Sequence, residues 1–243
     1  MKYGIISDTH GNTEALIACV DVLRMAGAER FVCLGDTVGY GAEPNECCDI
    51  IRELVDVAVL GNHDAMSVGR LDPSFCHAAA RRALVYSAER LSVQNQEWLS
   101  GLQYKVREGN VCFCHGSPLD AEAFDYVFSL DKAAVLTGAY EELADVTFVG
   151  HSHLTTTYLV TPRMALQVCA PRVRLRQGVK YVFNVGSVGQ PRDRDQRSCC
   201  VLYDKDEQMV QYLRVPYDVD SAASKIFAAD LPPAFAQRLY HGV

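Results

Sequence analysis

The sequence predicts an α/β domain built on two β-sheets, and three observations support this. The first 60 residues alternate short apolar runs with helix-like segments, which is the pattern of parallel strands joined by helices. From residue 103 onward, short apolar runs follow one another closely, which indicates largely antiparallel strands. No repeat, low-complexity segment or linker interrupts the 243 residues, so a single domain spanning residues 1–243 is expected.

The first third of the chain supplies three strands and two helices in alternation. Strands are predicted at "YGIIS", "RFVCLG" and "DVAVLG". The helix between the first two has apolar residues at helical spacing, with Asn12 or Thr13 as its cap and Gly27 at its end. The helix "EPNECCDIIREL" carries a proline in its first turn, where proline is tolerated. Residues 74–100 are predicted to be mostly helical.

The remaining elements are mostly strands. They are expected at "QYKVRE", "GNVCFCH", "DVTFVGH", "TTTYLVT", "ALQVCA", "KYVFNVG", "SCCVLYD" and "MVQYLRV". One helix is predicted over residues 129–144, and two short C-terminal helices are separated at Pro232 and Pro233.

Composition limits the function classes. The net charge of −7 gives no basic footprint for a long nucleic acid, although bound cations could still attract a small anionic substrate. No apolar run is long enough for a membrane span, and the N-terminus lacks a signal-peptide pattern, so a cytoplasmic protein with reduced cysteines is expected. Cys112 and Cys114 precede His115, but their spacing places both thiols on one strand face, which favours packing over zinc binding.

Polar side chains follow five of the predicted strands, and five of the seven histidines lie in these loops. Ligands of open α/β sheets bind beyond the carboxyl ends of the strands. The loop residues are Asp8, His10, Asp36, Asn62, His63, Asp64, His115, His151 and His153. Because carboxylate, imidazole and amide oxygen without thiolate suit Mn, Fe or Zn, these loops predict a metal centre. Seven of these residues, all but His63 and Asp64, are candidate ligands. Because one four-coordinate ion needs fewer, two metal ions with a bridging carboxylate are expected.

In order, the loops read D-x-H, G-D, G-N-H-D, a lone H and G-H-x-H. This series resembles the calcineurin-like metallophosphoesterases, and every element of the family pattern is present between residues 8 and 153. The resemblance implies a four-layer α-β-β-α sandwich with a dinuclear metal centre between the sheet edges. It also implies a phosphoric-ester hydrolase that acts on mono- or diesters through attack of a metal-bridging hydroxide.

The resemblance further implies residue roles. Asp8, His10, Asp36 and His153 would form the first metal site, and Asp36, Asn62, His115 and His151 the second. His63 would be the catalytic general acid, and Asp64 would orient it.

The loop "NVGSVGQPRDRD" resembles a narrower branch of small prokaryotic phosphoesterases, some of which cleave dinucleoside polyphosphates. That substrate class is therefore an alternative to simple mono- and diesters. Arg192 could bind substrate phosphate, with a solvated charge run as the alternative. Asn184 and Ser187 either line the site or shape a turn.

Two expectations concern partners. The substrate is expected to be a small phosphorylated molecule, with a nucleotide as one option, and no membrane or long nucleic acid is expected. A homodimer is the default assembly, because two-fold dimers are the commonest oligomers.

A non-catalytic metal-binding scaffold is the competing class of function. Such proteins usually lose metal ligands or the general acid, and this sequence retains both.

Overall fold

The computed structural model describes all 243 residues and confirms the predicted fold class, with two six-stranded mixed sheets flanked by helices. The first sheet contains, in spatial order, β3 (Val57–Ala58), β2 (Arg30–Cys33), β1 (Lys2–Ile6), β11 (Ser198–Asp204), β12 (Met209–Val215) and β9 (Arg172–Arg174). The second contains β4 (Lys105–Glu108), β5 (Val111–Cys114), β6 (Val146–Val149), β10 (Lys180–Val185), β7 (Thr155–Val160) and β8 (Ala165–Val168).

Strand direction divides each sheet into a parallel and an antiparallel part. β1, β2 and β3 pair in parallel as predicted, and β11, β12 and β9 complete that sheet in antiparallel fashion. In the second sheet β5, β6 and β10 are parallel, so the later strands are less uniformly antiparallel than the sequence indicates. β9 was not predicted, because three residues between two arginines carry almost no strand signal.

Eight α-helices flank the sheets. They are α1 (Thr13–Met25), α2 (Pro44–Leu54), α3 (Asn62–Ser67), α4 (Ala78–Arg90), α5 (Val93–Gly101), α6 (Leu130–Val135), α7 (Val219–Ala228) and α8 (Pro233–His241). Short 3₁₀ helices span Pro73–Phe75 and Leu136–Glu142, so the predicted helix over residues 129–144 is α-helical only in its first half. No helix is long and apolar enough to cross a membrane.

The main core lies between the two sheets. Ile5 and Val32 of the first sheet pack against Phe113, Phe148 and Phe183 of the second. On the outer faces, α1 and α2 cover the first sheet and α6 covers the second. Cys112 and Cys114 are buried under α6 as free thiols, which agrees with the packing role predicted for them.

The loops that follow β1, β2, β3, β5 and β6 meet at one end of the sandwich. Main-chain hydrogen bonds link them beyond the last residues of the strands, with the amide of Asp8 bonded to Gly35 O and that of His10 to Asp36 O. The amide of Gly150 bonds in the same way to His115 O. Main-chain bonds thus join the loops after β1 and β2 and those after β5 and β6, while the amides of His63 and His151 bond to the Asp36 and Asp8 carboxylates. The side chains of all five loops face a common point.

Candidate metal centre

The structure brings all seven predicted metal ligands into one cluster across the gap between the sheets, and all of them except the half-buried Asn62 are buried. The first sheet supplies Asp8, His10, Asp36 and Asn62, and the second supplies His115, His151 and His153. His153 Nε2 lies 3.2 Å from Asp8 Oδ1, and His115 Nε2 lies 3.3 Å from Asp36 Oδ2. His115 Nε2 also lies 3.2 Å from Asn62 Oδ1. Three overlapping groups of side chains are close enough to hold an ion: Asp8, His10 and His153; His10, Asp36 and His63; and Asp36, His115 and His151.

The backbone of these loops is unusual. Five of the cluster residues have φ in the left-handed region, between 50° and 63°, namely Asp8, His10, Asp36, His151 and His153. Each such non-glycine residue costs about 1–3 kcal/mol, and such strain concentrates at functional sites where the surrounding structure holds it. Close approach of neighbouring loops supplies that support. A Cβ on Gly61 would lie 2.1 Å from Asp36 Oδ1, so the G-N-H-D loop can approach Asp36 this closely only with glycine there.

Three histidines of the cluster are oriented by the main chain. His10 Nδ1 lies 2.9 Å from Val38 O, His115 Nδ1 lies 2.7 Å from Leu34 O, and His153 Nδ1 lies 2.5 Å from Gln190 O. A carbonyl only accepts, so Nδ1 of each ring carries the proton and donates. The Nε2 atom of each neutral ring therefore presents a lone pair to the cluster, which is the arrangement that metal-binding histidines adopt.

The contact between His10 and His153 shows why a cation fits this site. Their Nε2 atoms lie 3.2 Å apart, and both rings already donate through Nδ1 to main-chain carbonyls. Two lone pairs therefore face each other in a buried space, which is unfavourable unless a cation or a proton lies between them. Together with the two adjacent carboxylates, this donor set suits a divalent metal ion.

The charge states of the cluster also favour cations. Burial would raise the pKa of Asp36, but the imidazoles of His115 and His63 outweigh burial and hold that pKa well below its usual range. Burial lowers the pKa of His151 to about 3, so this ring is neutral at pH 7. Burial would lower the pKa of His115 too, but Asp36 and Asp8 raise it to about 9. Without a metal, the two carboxylates thus draw a proton onto His115, and a bound cation would take over that role.

His63 lies beside the cluster, but the predicted contact with Asp64 is absent. The Asp64 carboxylate instead accepts hydrogen bonds from the main-chain amides of Thr37, Val38 and Gly61, at 2.9, 3.2 and 3.2 Å. Adjacent residues of a helix project in different directions, and Asp64 lies at the third position of α3, from which it reaches back to the residue before the helix. The prediction that Asp64 orients His63 is therefore corrected: the Asp64 carboxylate anchors the loop after β2.

The His63 ring is held by packing. It contacts the rings of His10 and Tyr40, with centroid distances of 4.8 and 4.5 Å, and its buried Nδ1 has no hydrogen-bond partner. A Cβ on Gly39 would lie 2.3 Å from His63 Nδ1, so this glycine makes room for the ring. Burial lowers the pKa of His63 to about 4, with Asp36 opposing the shift.

The predicted substrate residues differ in their surroundings. The guanidinium carbon of Arg192 lies 5.5 Å from the centroid of the Tyr40 ring, and its buried Nε has no partner. The Asn184 side chain is fully buried and hydrogen-bonded to Val127 O and the Ser152 hydroxyl, at 2.7 and 2.8 Å. The Ser187 hydroxyl, also fully buried, donates to Asp8 O and accepts from the amide of Gln190. These contacts favour the turn-shaping alternative for Asn184 and Ser187. The Arg192 guanidinium donates from Nη2 to Gln190 Oε1 at 3.0 Å and keeps its other donors for an anion.

Two features of the site were not found from the sequence. The Tyr126 ring stacks on the His151 ring with a centroid distance of 3.7 Å and an angle of 14° between the planes. The carbonyls of Val38, Leu34 and Gln190 orient three histidines. Main-chain partners leave no signature in side-chain identity, and the only signal for Tyr126 is an aromatic residue at alternate positions in "FDYVF".

Comparison with known proteins identifies one family. Residues 1–207 match the model of the calcineurin-like phosphoesterase superfamily domain. An uncharacterized protein of Methanocaldococcus jannaschii is 32% identical over 242 residues, and the match covers 98% of this chain and 97% of that protein.

Two solved structures share the fold over nearly the whole chain. The metallophosphoesterase of Sphaerobacter thermophilus is 31% identical, with a TM-score of 0.85 and coverage of 100% of this chain and 99% of its own. A hypothetical protein of Pyrococcus horikoshii OT3 is 20% identical, with a TM-score of 0.80 and coverage of 100% of this chain and 98% of its own. The second likeness concerns the fold alone.

Proposed function

Because the chain belongs to the calcineurin-like phosphoesterase superfamily, we propose that it hydrolyses phosphate mono- or diesters with two metal ions bound in the cluster. One observation carries the proposal. His10, His115 and His153 are fixed through Nδ1 so that their Nε2 lone pairs converge on two buried carboxylates. Without cations, the Nε2 lone pairs of His10 and His153 face each other and His115 needs a proton; bound cations would meet both needs.

The proposed ligand sets follow the clustering of donor atoms. Asp8, His10, Asp36 and His153 would hold one ion, and Asp36, Asn62, His115 and His151 the other. Asp36 is proposed as the bridge, because Oδ2 lies 3.7 Å from His10 Nε2 and 3.3 Å from His115 Nε2. When bound, the ions would supply Lewis acidity, which activates water and neutralises charge on the phosphoryl group. Manganese, iron and zinc all suit these ligands.

His63 and Arg192 would act on the substrate. His63 lies next to Asn62 at the edge of the cluster, and its ring forms no hydrogen bond through Nδ1 within the protein. We assign it the general-acid role: the negative charge of a bound phosphate ester would raise its pKa, so that the ring could hold a proton and donate it to the departing ester oxygen. Arg192 lies within reach of the same region, and its guanidinium can donate two parallel hydrogen bonds to phosphoryl oxygens.

The test is an assay of the metal-stripped protein after reloading with Mn²⁺. Its substrates are p-nitrophenyl phosphate, bis-p-nitrophenyl phosphate and diadenosine tetraphosphate. Hydrolysis that depends on metal is expected for at least one of them, and Asp36→Ala should reduce it to background because the bridging ligand is lost. Asp21→Ala, which changes an exposed carboxylate on α1, is the matched control and should keep full activity.

The rates distinguish the remaining alternatives. The ratio of the hydrolysis rates of the three substrates decides between monoesters, diesters and dinucleoside polyphosphates. If the protein binds two metal ions yet hydrolyses none of these substrates, the proposal is contradicted in favour of a metal-binding scaffold. Activity that persists in Asp36→Ala would contradict the assigned bridge.

A further inference from the structure

A pair of exposed aromatic side chains begins directly at the metal centre. The Tyr126 ring covers the ring of His151, with a centroid distance of 3.7 Å, and Phe128 packs edge-on against Tyr126 at 5.8 Å. Tyr126 is nevertheless 42% exposed and Phe128 47% exposed. Since one face of Tyr126 lies on His151, its exposed surface is on the other face and the ring edges. Isolated exposed aromatic residues are ordinary, but this pair is continuous with a ring of the cluster.

The segment that carries the pair is held in place by buried neighbours. Phe124 is buried against His115, with the ring centroids 5.9 Å apart, and Asp125 O accepts a hydrogen bond from the amide of Ser117 at 2.8 Å. Val127, between the two aromatic residues, is 4% exposed, and its carbonyl accepts a hydrogen bond from Asn184 Nδ2 at 2.7 Å.

The alternation of buried and exposed residues therefore projects Tyr126 and Phe128 outward from an anchored backbone. The same Asn184 side chain accepts a hydrogen bond from Ser152, the residue between His151 and His153. The position of the aromatic pair is thus coupled to the position of two proposed ligands. A surface fixed in this way can receive a flat group with little loss of conformational entropy on binding.

We propose that Tyr126 and Phe128 form a stacking surface for a flat heteroaromatic ring on the substrate, so that the preferred substrates are nucleotide-type phosphate esters. The inference rests on the function proposed above, because the phosphate of such a substrate would lie at the metal centre. Its ring would then extend the stack that begins with His151 and Tyr126. Aromatic side chains stack on every nucleobase, since each base has a π-face, so the surface selects for a ring rather than for one base.

The experiment compares two probes that share a ribose 5-phosphate unit and differ at C1 of the sugar, which carries adenine in one and a hydroxyl in the other. Adenosine 5′-monophosphate and ribose 5-phosphate are titrated calorimetrically into the Mn²⁺-loaded protein. Wild-type protein is expected to bind adenosine 5′-monophosphate roughly 10-fold or more tightly than ribose 5-phosphate, which is the size of effect that base stacking produces. Phe128→Ala should remove most of that difference without changing the affinity for ribose 5-phosphate. Tyr126→Phe keeps the aromatic ring and should preserve the difference in affinity between the two probes.

The controls separate this inference from the proposed function. Phe227→Ala removes an aromatic ring that is 50% exposed on α7 and should leave both affinities unchanged. Equal affinity of the wild-type protein for the two probes would overturn the inference, as would a preference that survives Phe128→Ala. Release of inorganic phosphate from both probes is measured in parallel, and the heat of any hydrolysis is subtracted. A protein that releases no phosphate yet shows this preference would contradict the proposed function alone. Metal content and thermal unfolding of each variant confirm that the fold and the cluster are intact.

Discussion

At the residue scale, the ability of the cluster to bind metal ions depends on which nitrogen of each histidine ring carries the proton. Main-chain carbonyls at Nδ1 of His10, His115 and His153 turn the Nε2 atom of each ring toward the cluster, so each ring is oriented to bind a metal ion through Nε2. The sequence predicts the histidines, because they follow apolar strands in short polar loops. It cannot predict their tautomers, because the carbonyls of Val38 and Gln190 come from other loops and any residue type would supply them.

His63 provides the sharpest test of roles within the cluster, because its ring also lies close enough to His10 and Asp36 to be considered a ligand. As a general acid, it should be dispensable for metal binding but not for turnover. His63→Ala is therefore expected to retain its metal ions and to lose about 10²–10⁴-fold in turnover. The loss should be greater for an alkyl phosphate than for p-nitrophenyl phosphate, whose departing oxygen needs no proton.

The control for His63→Ala is His241→Ala, which removes an exposed imidazole in the last turn of α8. This variant should change neither the metal content nor the turnover rate. Metal content is measured by mass spectrometry alongside the rates. Loss of metal from His63→Ala would show that His63 is a ligand and that its assignment as the acid is wrong.

At the scale of elements, the loop after β10 connects the two sheets at the site. Its Ser187 hydroxyl joins Asp8 O to the amide of Gln190, and the carbonyl of Gln190 in turn orients His153. Gly189 approaches the loop after β1 so closely that a Cβ there would lie 1.8 Å from Thr9 O. The loop thus positions predicted ligands from both sheets through its buried residues Ser187, Gly189 and Gln190.

Ser187→Ala should weaken both stability and metal binding. The variant leaves the buried amide of Gln190 without a partner and removes one of the two hydrogen bonds to Asp8 O, which costs about 1–3 kcal/mol of unfolding free energy. Urea denaturation measures this cost, and titration with Mn²⁺ measures the metal affinity. Ser100→Ala, at an exposed position on α5, is the matched control. A Ser187→Ala protein as stable as the control would contradict the connecting role of this loop.

Most elements could be predicted from the sequence, and the exceptions have physical causes. α3 begins at Asn62, inside a stretch whose polar residues indicate a loop, because it is only six residues long and shows no apolar period. That unforeseen helix is also the reason the Asp64 prediction was wrong: at its third position the carboxylate caps main-chain amides instead of meeting His63. Short elements are set by tertiary contacts, which a single sequence does not display.

At the scale of the whole molecule, the two sheets must keep a fixed separation for ligands from both to meet. The inter-sheet core sets that separation, and Phe148 of β6 is fully buried there against Phe113 and Phe183. The two-sheet fold was predictable because apolar strands supply this core. The pairing of β1 with β11 was not, since nearly 200 residues of chain separate the partners.

Truncation of the inter-sheet core should destabilise the entire protein. Phe148→Ala is expected to lower the unfolding free energy by about 3–5 kcal/mol, through lost burial and the cavity left behind. Phe75→Ala, at a side chain that is 90% exposed, should have no measurable effect. Both are compared by urea denaturation of the metal-free proteins. Equal midpoints for the two variants would contradict the placement of the main core between the sheets.

The most direct test of the central claim is the number of metal ions bound per chain, measured by inductively coupled plasma mass spectrometry after reloading with Mn²⁺ and removal of free metal. The two proposed ligand sets, which share Asp36, predict two ions per wild-type chain and a marked loss in Asp36→Ala. A wild-type protein that holds one ion or none would contradict the dinuclear centre on which the proposed function depends.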